Sequence, residues 1–500
     1  MRHIQNSLFA GAIAAVMAIA PLPAFADAGA PQSVTALPGK PVLMLGGFDL
    51  AGLGYQLDEF VVSGKATRYA LRRPVGEDGK IDIVADGSAD YTTRYVVARP
   101  ADAKKFNGTV LVEWLNVTAG QDTPADWMVA HREMLRRGYA YVAVSAQQVG
   151  VEGGASIMGM GLPLKKANPK RYAGLSHPGD AFAFDIYSQV GKALKAKGAS
   201  GLLGSLKPAR VIGIGESQSA MFLSTYVNAV DPLSRAYDGY LVHSRFGSGA
   251  GMNGVGVRSA TVGNSQAMPE QLKFRPDLRV PVLSLETETD LYGGNISGYA
   301  GSRVKDHKTL RVWELAGAAH ADGYLFNGAF RDDGKRSAEE LAKIFVPSTN
   351  TPGIKVDKPY NTGQPHHYVL EAVLAAIDRW VRTGRAPAST AVIGVNPGAP
   401  LSFVLDANGN ALGGVRTPWT DVPTMKLSGI GNSGSFTASL VGTSEPYDLA
   451  KLAALYPGGK SDYLKRFTVS LDAAIAKGHL LGDDRQEILD IAAINYQGAP

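Results

Sequence analysis

Ser217, an acidic turn at 286–290 and His320 follow one another along this 500-residue chain. They are the residue types of a nucleophile, an orienting acid and a base. The serine lies in Arg210-Val211-Ile212-Gly213-Ile214-Gly215-Glu216-Ser217-Gln218-Ser219-Ala220-Met221. There an apolar β-branched run meets a Gly-x-Ser-x-small corner and then helical apolar spacing. Such a corner presents a serine hydroxyl on a strained strand-to-helix turn. Gly215 leaves room for the backbone, and Ser219 stands where these corners usually carry glycine. The same pattern also fits an ordinary βα turn, so the serine needs partners before it means chemistry.

In parallel-sheet proteins with such an elbow the chain order is serine, acid, histidine. Downstream of Ser217 an apolar run ending at Leu285 opens into Glu286-Thr287-Glu288-Thr289-Asp290. Asp290 lies far enough into this turn to point back across a sheet edge. Glu288 is its rival, and Glu286 is too close to the strand. After the next apolar run comes Ala316-Gly317-Ala318-Ala319-His320-Ala321-Asp322, a small-residue loop that suits the base. For the oxyanion the backbone N–H groups of Gln218 and Asn116 are the candidates, one after the nucleophile and one after an earlier strand. This set uses neither metal nor cofactor.

The other histidines fit less well. His177 precedes the serine, His243 reads as packed or pocket-lining, and His366-His367 open a helix where capping or surface roles outweigh a metal pair. The absence of cysteine excludes disulfides, a Cys-anchored lipid and a Cys nucleophile.

Runs such as 108–115, 139–145, 239–243, 280–285 and 310–315 read as strands, and helical patterns lie between most of them. Thr123-Pro124 opens a helix with threonine as cap, and the nucleophile helix ends at Asp231-Pro232. Buried strands alternating with helices predict a mostly parallel sheet covered on both faces. Residues 60–100 add two strand-like runs, an antiparallel start. Segments near 246–275 and 326–362 are aperiodic and read as lid or pocket-wall insertions. His366 to Thr383 is a marked helix, and the region 401–500 reads as short strands or loops and three short helical stretches.

Residues 1–26 have the order of a secretory signal: Arg2, an apolar run from Leu8 to Ala20, and Ala24-Phe25-Ala26 before Asp27. That run is too short to span a bilayer, so a periplasmic or secreted protein without a membrane span is expected. A formal net charge of +5 with scattered basic residues gives no argument for a nucleic-acid partner. The expected organisation is a signal at 1–26, a catalytic unit at 27–400 with the two insertions, and an extension at 401–500 packed on it.

Taken with Val112-Glu113-Trp114-Leu115-Asn116-Val117, Ser176-His177-Pro178-Gly179-Asp180 and Gly413-Gly414-Val415-Arg416-Thr417-Pro418, these motifs resemble a family of long, often exported bacterial α/β-hydrolases with a Gly-Glu-Ser-Gln-Ser elbow. The resemblance implies an α/β-hydrolase fold with lid insertions and an integral C-terminal extension. It also implies serine hydrolase activity on small-molecule carboxylic esters through Ser217, Asp290 and His320. Amidase or peptidase activity on the same triad, or a non-catalytic envelope binding protein on this scaffold, are the alternatives.

Overall fold

The computed structural model describes residues 29–154, 161–196, 201–254, 268–294, 296–350 and 353–499. The signal-like segment 1–26 and much of the 246–275 insertion lie outside the described residues.

Nine strands form one sheet in the order β1-β2-β3-β5-β4-β6-β7-β8-β9. β1 (Ser33–Ala36), β2 (Tyr55–Leu71) and β3 (Ile83–Pro100) are antiparallel, as is the β3–β5 seam. β4 (Thr109–Trp114), β5 (Ala140–Val144), β6 (Arg210–Glu216), β7 (Gly239–His243), β8 (Val282–Thr287) and β9 (Leu310–Leu315) run parallel. The antiparallel start and the parallel remainder both follow the pattern read from the sequence.

Side chains alternate across these strands, and both faces are buried. Leu111, Ile212, Leu241 and Leu283 pack with α1 (Ala125–Arg136) and α5 (Gln364–Thr383), through Trp127, Met134, Val373 and Ile377. Val110, Val112, Val211 and Val242 pack on the other face with α2 (Ala183–Lys195) and α3 (Gln218–Thr225), through Phe184, Tyr187, Phe222 and Leu223. The short helix α4 (Glu288–Tyr292) follows β8 directly.

Two helix ends differ from expectation. Thr123 does not cap α1; the Glu113 carboxylate on β4 accepts from the Asp126 and Trp127 amides at 2.9 and 3.1 Å. A buried acid thereby replaces the hydroxyl cap. The chain also does not leave its helix at Asp231-Pro232: a π-helical turn (Tyr226–Val230) follows α3, and helix continues over Asp231–Ser234. Pro232 sits in that last segment's first turn, where no N–H is required.

The region beyond 400 is built into the molecule. The backbone at Val415 pairs alongside β9, with its N–H on Glu314 O at 2.6 Å. Gly414 makes this approach possible, since a Cβ there would stand 2.3 Å from Glu314 O. Of the final helices, α6 (Gly459–Lys477) is longer than expected, and α7 (Arg485–Asn495) follows it. Tyr463, Phe467, Leu471 and Ile488 join the same core as Trp127 and Tyr368. Among the described residues no helix is long and apolar enough to cross a membrane.

Candidate active site

β6 delivers Ser217 to the sharp turn before α3, where the serine holds φ 57° and ψ −118°. Left-handed backbone at a non-glycine residue costs on the order of 1–3 kcal/mol and persists where its surroundings over-determine it. Two contacts fix it here. The Ser217 N–H donates to His243 O at 2.9 Å. The Ser219 hydroxyl accepts from Glu216 N–H at 3.1 Å and donates to Glu216 O at 2.7 Å. Serine at the usual glycine position is thus a clasp on the elbow. A Cβ on Gly215 would stand 3.4 Å from Ser219, a close contact rather than a clash.

His320 stands in the loop after β9, with Nε2 2.8 Å from Ser217 Oγ and Nδ1 2.6 Å from Asp290 Oδ1. The second Asp290 oxygen accepts from Thr287 N–H and Oγ–H at 2.7 and 2.8 Å. Burial alone would raise the Asp290 pKa; the adjacent His320 ring and the Thr287 donors outweigh it and hold the carboxyl below its usual range. An ionised Asp290 accepts the Nδ1 proton and leaves Nε2 facing the serine.

The rival acid faces elsewhere. Glu288 accepts from Gly317 N–H at 2.6 Å and Gly429 N–H at 2.8 Å, joining the His320 loop to the C-terminal extension. Glu286 takes the Ser284 hydroxyl at 2.7 Å, inside the sheet.

The expected second oxyanion donor is corrected. Asn116 N–H is already donated to Thr123 O at 3.0 Å in a small antiparallel bridge, so it is not available to a substrate. The Thr118 amide is likewise taken, by Asn116 Oδ1 at 2.8 Å. Among the described residues, Val117 N–H meets only the Gln218 side-chain oxygen, at 3.3 Å. Gln218 is the first residue of α3, where an amide has no intrahelical acceptor.

Sequence reasoning passed over Glu216 at this site and placed His366 and His367 at the surface or in a cap. Glu216 Oε1 lies 3.4 Å from His320 Nε2, and its other oxygen accepts from the Asn116 side-chain Nδ2 at 3.2 Å. Burial, reinforced by the nearby Asp126, Asp290 and Glu113, raises its carboxyl well above the usual range. His366 and His367 are buried rather than at the surface. They face apart: His366 Nδ1 is 2.8 Å from Asp322, while His367 Nδ1 is 2.7 Å from Val129 O and its ring stacks on Tyr324. His177 Nε2 bonds Ala146 O at 2.8 Å.

A cavity of about 510 Å³ opens over Ser217 and His320. Phe246 and Phe326 from the two insertions line it, as do Met128, Met221, Phe436 and Leu440. The last two come from the C-terminal extension, where neither periodicity nor a chemical motif marked them. No lysine or arginine lines the cavity among the described residues.

No curated protein matches this chain. Among solved structures it is similar to a glucuronoyl esterase from Solibacter usitatus, at 12% identity and TM-score 0.29 over 55% of this chain and 72% of that one. It is also similar to acetyl xylan esterase 1 from Thermoanaerobacterium sp., at 10% identity and TM-score 0.28 over 56% and 81%. The family described as alpha/beta hydrolase domain matches residues 20–490. With that match spanning the sheet, the elbow and the C-terminal extension, the chain belongs to the alpha/beta hydrolase domain family.

Proposed function

We propose that this protein is a serine hydrolase of carboxylic esters, and that residues 1–26 direct its export. The observation that carries the activity is the continuous contact Ser217 Oγ–His320 Nε2–His320 Nδ1–Asp290, at 2.8 and 2.6 Å. His320 takes the Ser217 proton as Oγ attacks the ester carbonyl. The negative oxygen is met by Gln218 N–H and by Val117 N–H, which exchanges its long contact with the Gln218 side chain for the substrate. Collapse transfers the His320 proton to the departing alcohol and leaves an acyl group on Ser217. Water, deprotonated by His320, then releases the acid.

The apolar cavity wall, without a cation among the described residues, supports uncharged esters with hydrophobic acyl or alcohol parts. A carboxylate-bearing substrate would find no counter-charge among the described lining residues. The unit 27–400 carries the triad, and the extension 401–500 supplies part of the pocket wall.

A fluorophosphonate probe with an ester and amide panel tests this reading. The expected result is labelling lost in Ser217→Ala and turnover of neutral esters. Labelling with turnover of amides alone would make the protein an amidase or peptidase. An unlabelled, folded wild type would make it a binding protein.

A further inference from the structure

Beside the triad lies a second row of titratable groups that the ester chemistry leaves unused. Asp126 Oδ1 is 2.9 Å from His243 Nδ1, His243 Nε2 is 2.7 Å from His366 Nε2, and His366 Nδ1 is 2.8 Å from Asp322 Oδ2. All four side chains are buried. The row connects α1, the end of β7, the first turn of α5 and the loop after β9.

Its ends are not equivalent. The Asp322 carboxylate also accepts from Leu325 N–H at 3.0 Å. Asp126 is fully buried, and among the described residues its second oxygen has no hydrogen-bond partner. An ionised carboxylate in that position would be poorly compensated. Burial raises the Asp126 carboxyl to about 8, and burial together with His366 lowers the His243 ring well below its usual range.

Those constraints give the row one direction. A protonated Asp126 donates to His243 Nδ1, so His243 carries its proton on Nε2 and donates to His366 Nε2. His366 therefore carries its proton on Nδ1 and donates to Asp322. Three protons make three bonds. If Asp126 ionises, His243 turns its proton to Nδ1, and two bare Nε2 atoms face one another at 2.7 Å. The bridge then opens by lone-pair repulsion.

The ends of the row are where catalysis is held. His243 O accepts the Ser217 amide at 2.9 Å, and Asp322 is two residues beyond His320. We propose that Asp126, His243, His366 and Asp322 are positioning residues, a one-way hydrogen-bond bridge that keeps the strand end behind Ser217 in register with the loop carrying His320, closed only while Asp126 holds its proton. The effect on turnover rests on the esterase reading; the bridge itself does not.

Other titratable groups face the row from each packed element. On β4 and β6 these are Glu113 and Glu216, both pushed well above the carboxylate range by burial first and by Asp126 second. On α4 and the loop after β9 they are Asp290 and His320, which act on the His243 ring from that side.

Nitrogen NMR of ¹⁵N-histidine-labelled wild type, with His366→Gln to assign the peaks, reads the bridge without any substrate. At pH 7 His243 should carry its proton on Nε2 and His366 on Nδ1, and His243 should change tautomer as pH rises past about 8. In Asp126→Asn the amide donates to His243 Nδ1 at every pH, so the tautomer should stay fixed. Ester turnover should follow: wild-type kcat falls about tenfold by pH 9, one unit above the transition, and Asp126→Asn keeps the acid limb without that fall. A His243 proton on Nδ1 at pH 7 overturns the bridge whether or not the variant folds. An alkaline decline shared by wild type and variant overturns its effect on catalysis. A wild type that turns over no ester overturns the esterase reading, and the tautomers still decide the bridge.

Discussion

Glu288 and Asp290 stand two residues apart on α4 and serve different loops. Asp290 reaches His320 Nδ1 at 2.6 Å, while Glu288 accepts the amides of Gly317 and Gly429. One helical turn thus carries the acid proposed to orient His320 and the acid that ties the His320 loop to the C-terminal extension. Asp290→Asn should lower kcat by about 10⁴-fold with little change in melting temperature. Glu288→Gln should retain fluorophosphonate labelling and melt lower, because an amide offers only one acceptor to two backbone donors. Steady-state kinetics beside thermal melts separate the two, and a 10⁴-fold loss in Glu288→Gln alone would reverse the assignment.

Glu288 also predicts a pH dependence of stability. Burial, acting against the Gly429 and Gly317 donors, pushes its carboxyl up to about 7. Between the ordinary value of 4.5 and about 7 the folded protein keeps a proton that the unfolded chain has released. Stability from this group is therefore full below pH 4.5 and lost as pH rises toward 7, at up to about 1.4 kcal/mol per pH unit. Urea unfolding of wild type and Glu288→Gln at pH 5, 6 and 7 checks the sign. The difference between them should shrink as pH rises.

How much of this was legible beforehand depends on whether the physics is local. The β6 run, the Gly-x-Ser corner and the small-residue loop at His320 are short-range patterns, and chain order alone was enough to align them. Strand alternation in β4 to β9 carried the parallel sheet for the same reason. Two acids in one turn could not be separated, because their directions depend on Gly429, more than 130 residues away. The Asn116 amide failed as a candidate because its partner, Thr123, is set by a loop closure with no signature in residue type. Asp126 and His366 meet through His243 only after three elements pack, so no spacing revealed them.

Glu216 is beside His320 with a carboxyl raised well above its usual range by burial, which favours its uncharged form. A neutral amide should replace it with little penalty, and Glu216→Gln should stay within about tenfold of wild-type kcat/KM at pH 7. Glu216→Ala, which removes one of the two acceptors of the Asn116 side chain and leaves only the Glu216 backbone oxygen, should lose more. Equal, large losses in both would mean that Glu216 acts as a charge.

The C-terminal extension has two separable roles. Phe467 is fully buried against Trp419 and Tyr463, so Phe467→Ala should destabilise the fold by about 3–5 kcal/mol. Phe436 lines the cavity over Ser217 and is only half-buried. Phe436→Ala should leave the melting temperature near wild type and raise KM for esters with long acyl chains, with acetyl esters unaffected, since a short acyl group does not reach that wall. An acyl-length series measured on Phe436→Ala checks this. A uniform change across the series would place Phe436 outside the acyl path, and an unaltered profile with an unaltered melt would leave the extension a purely structural part of the protein.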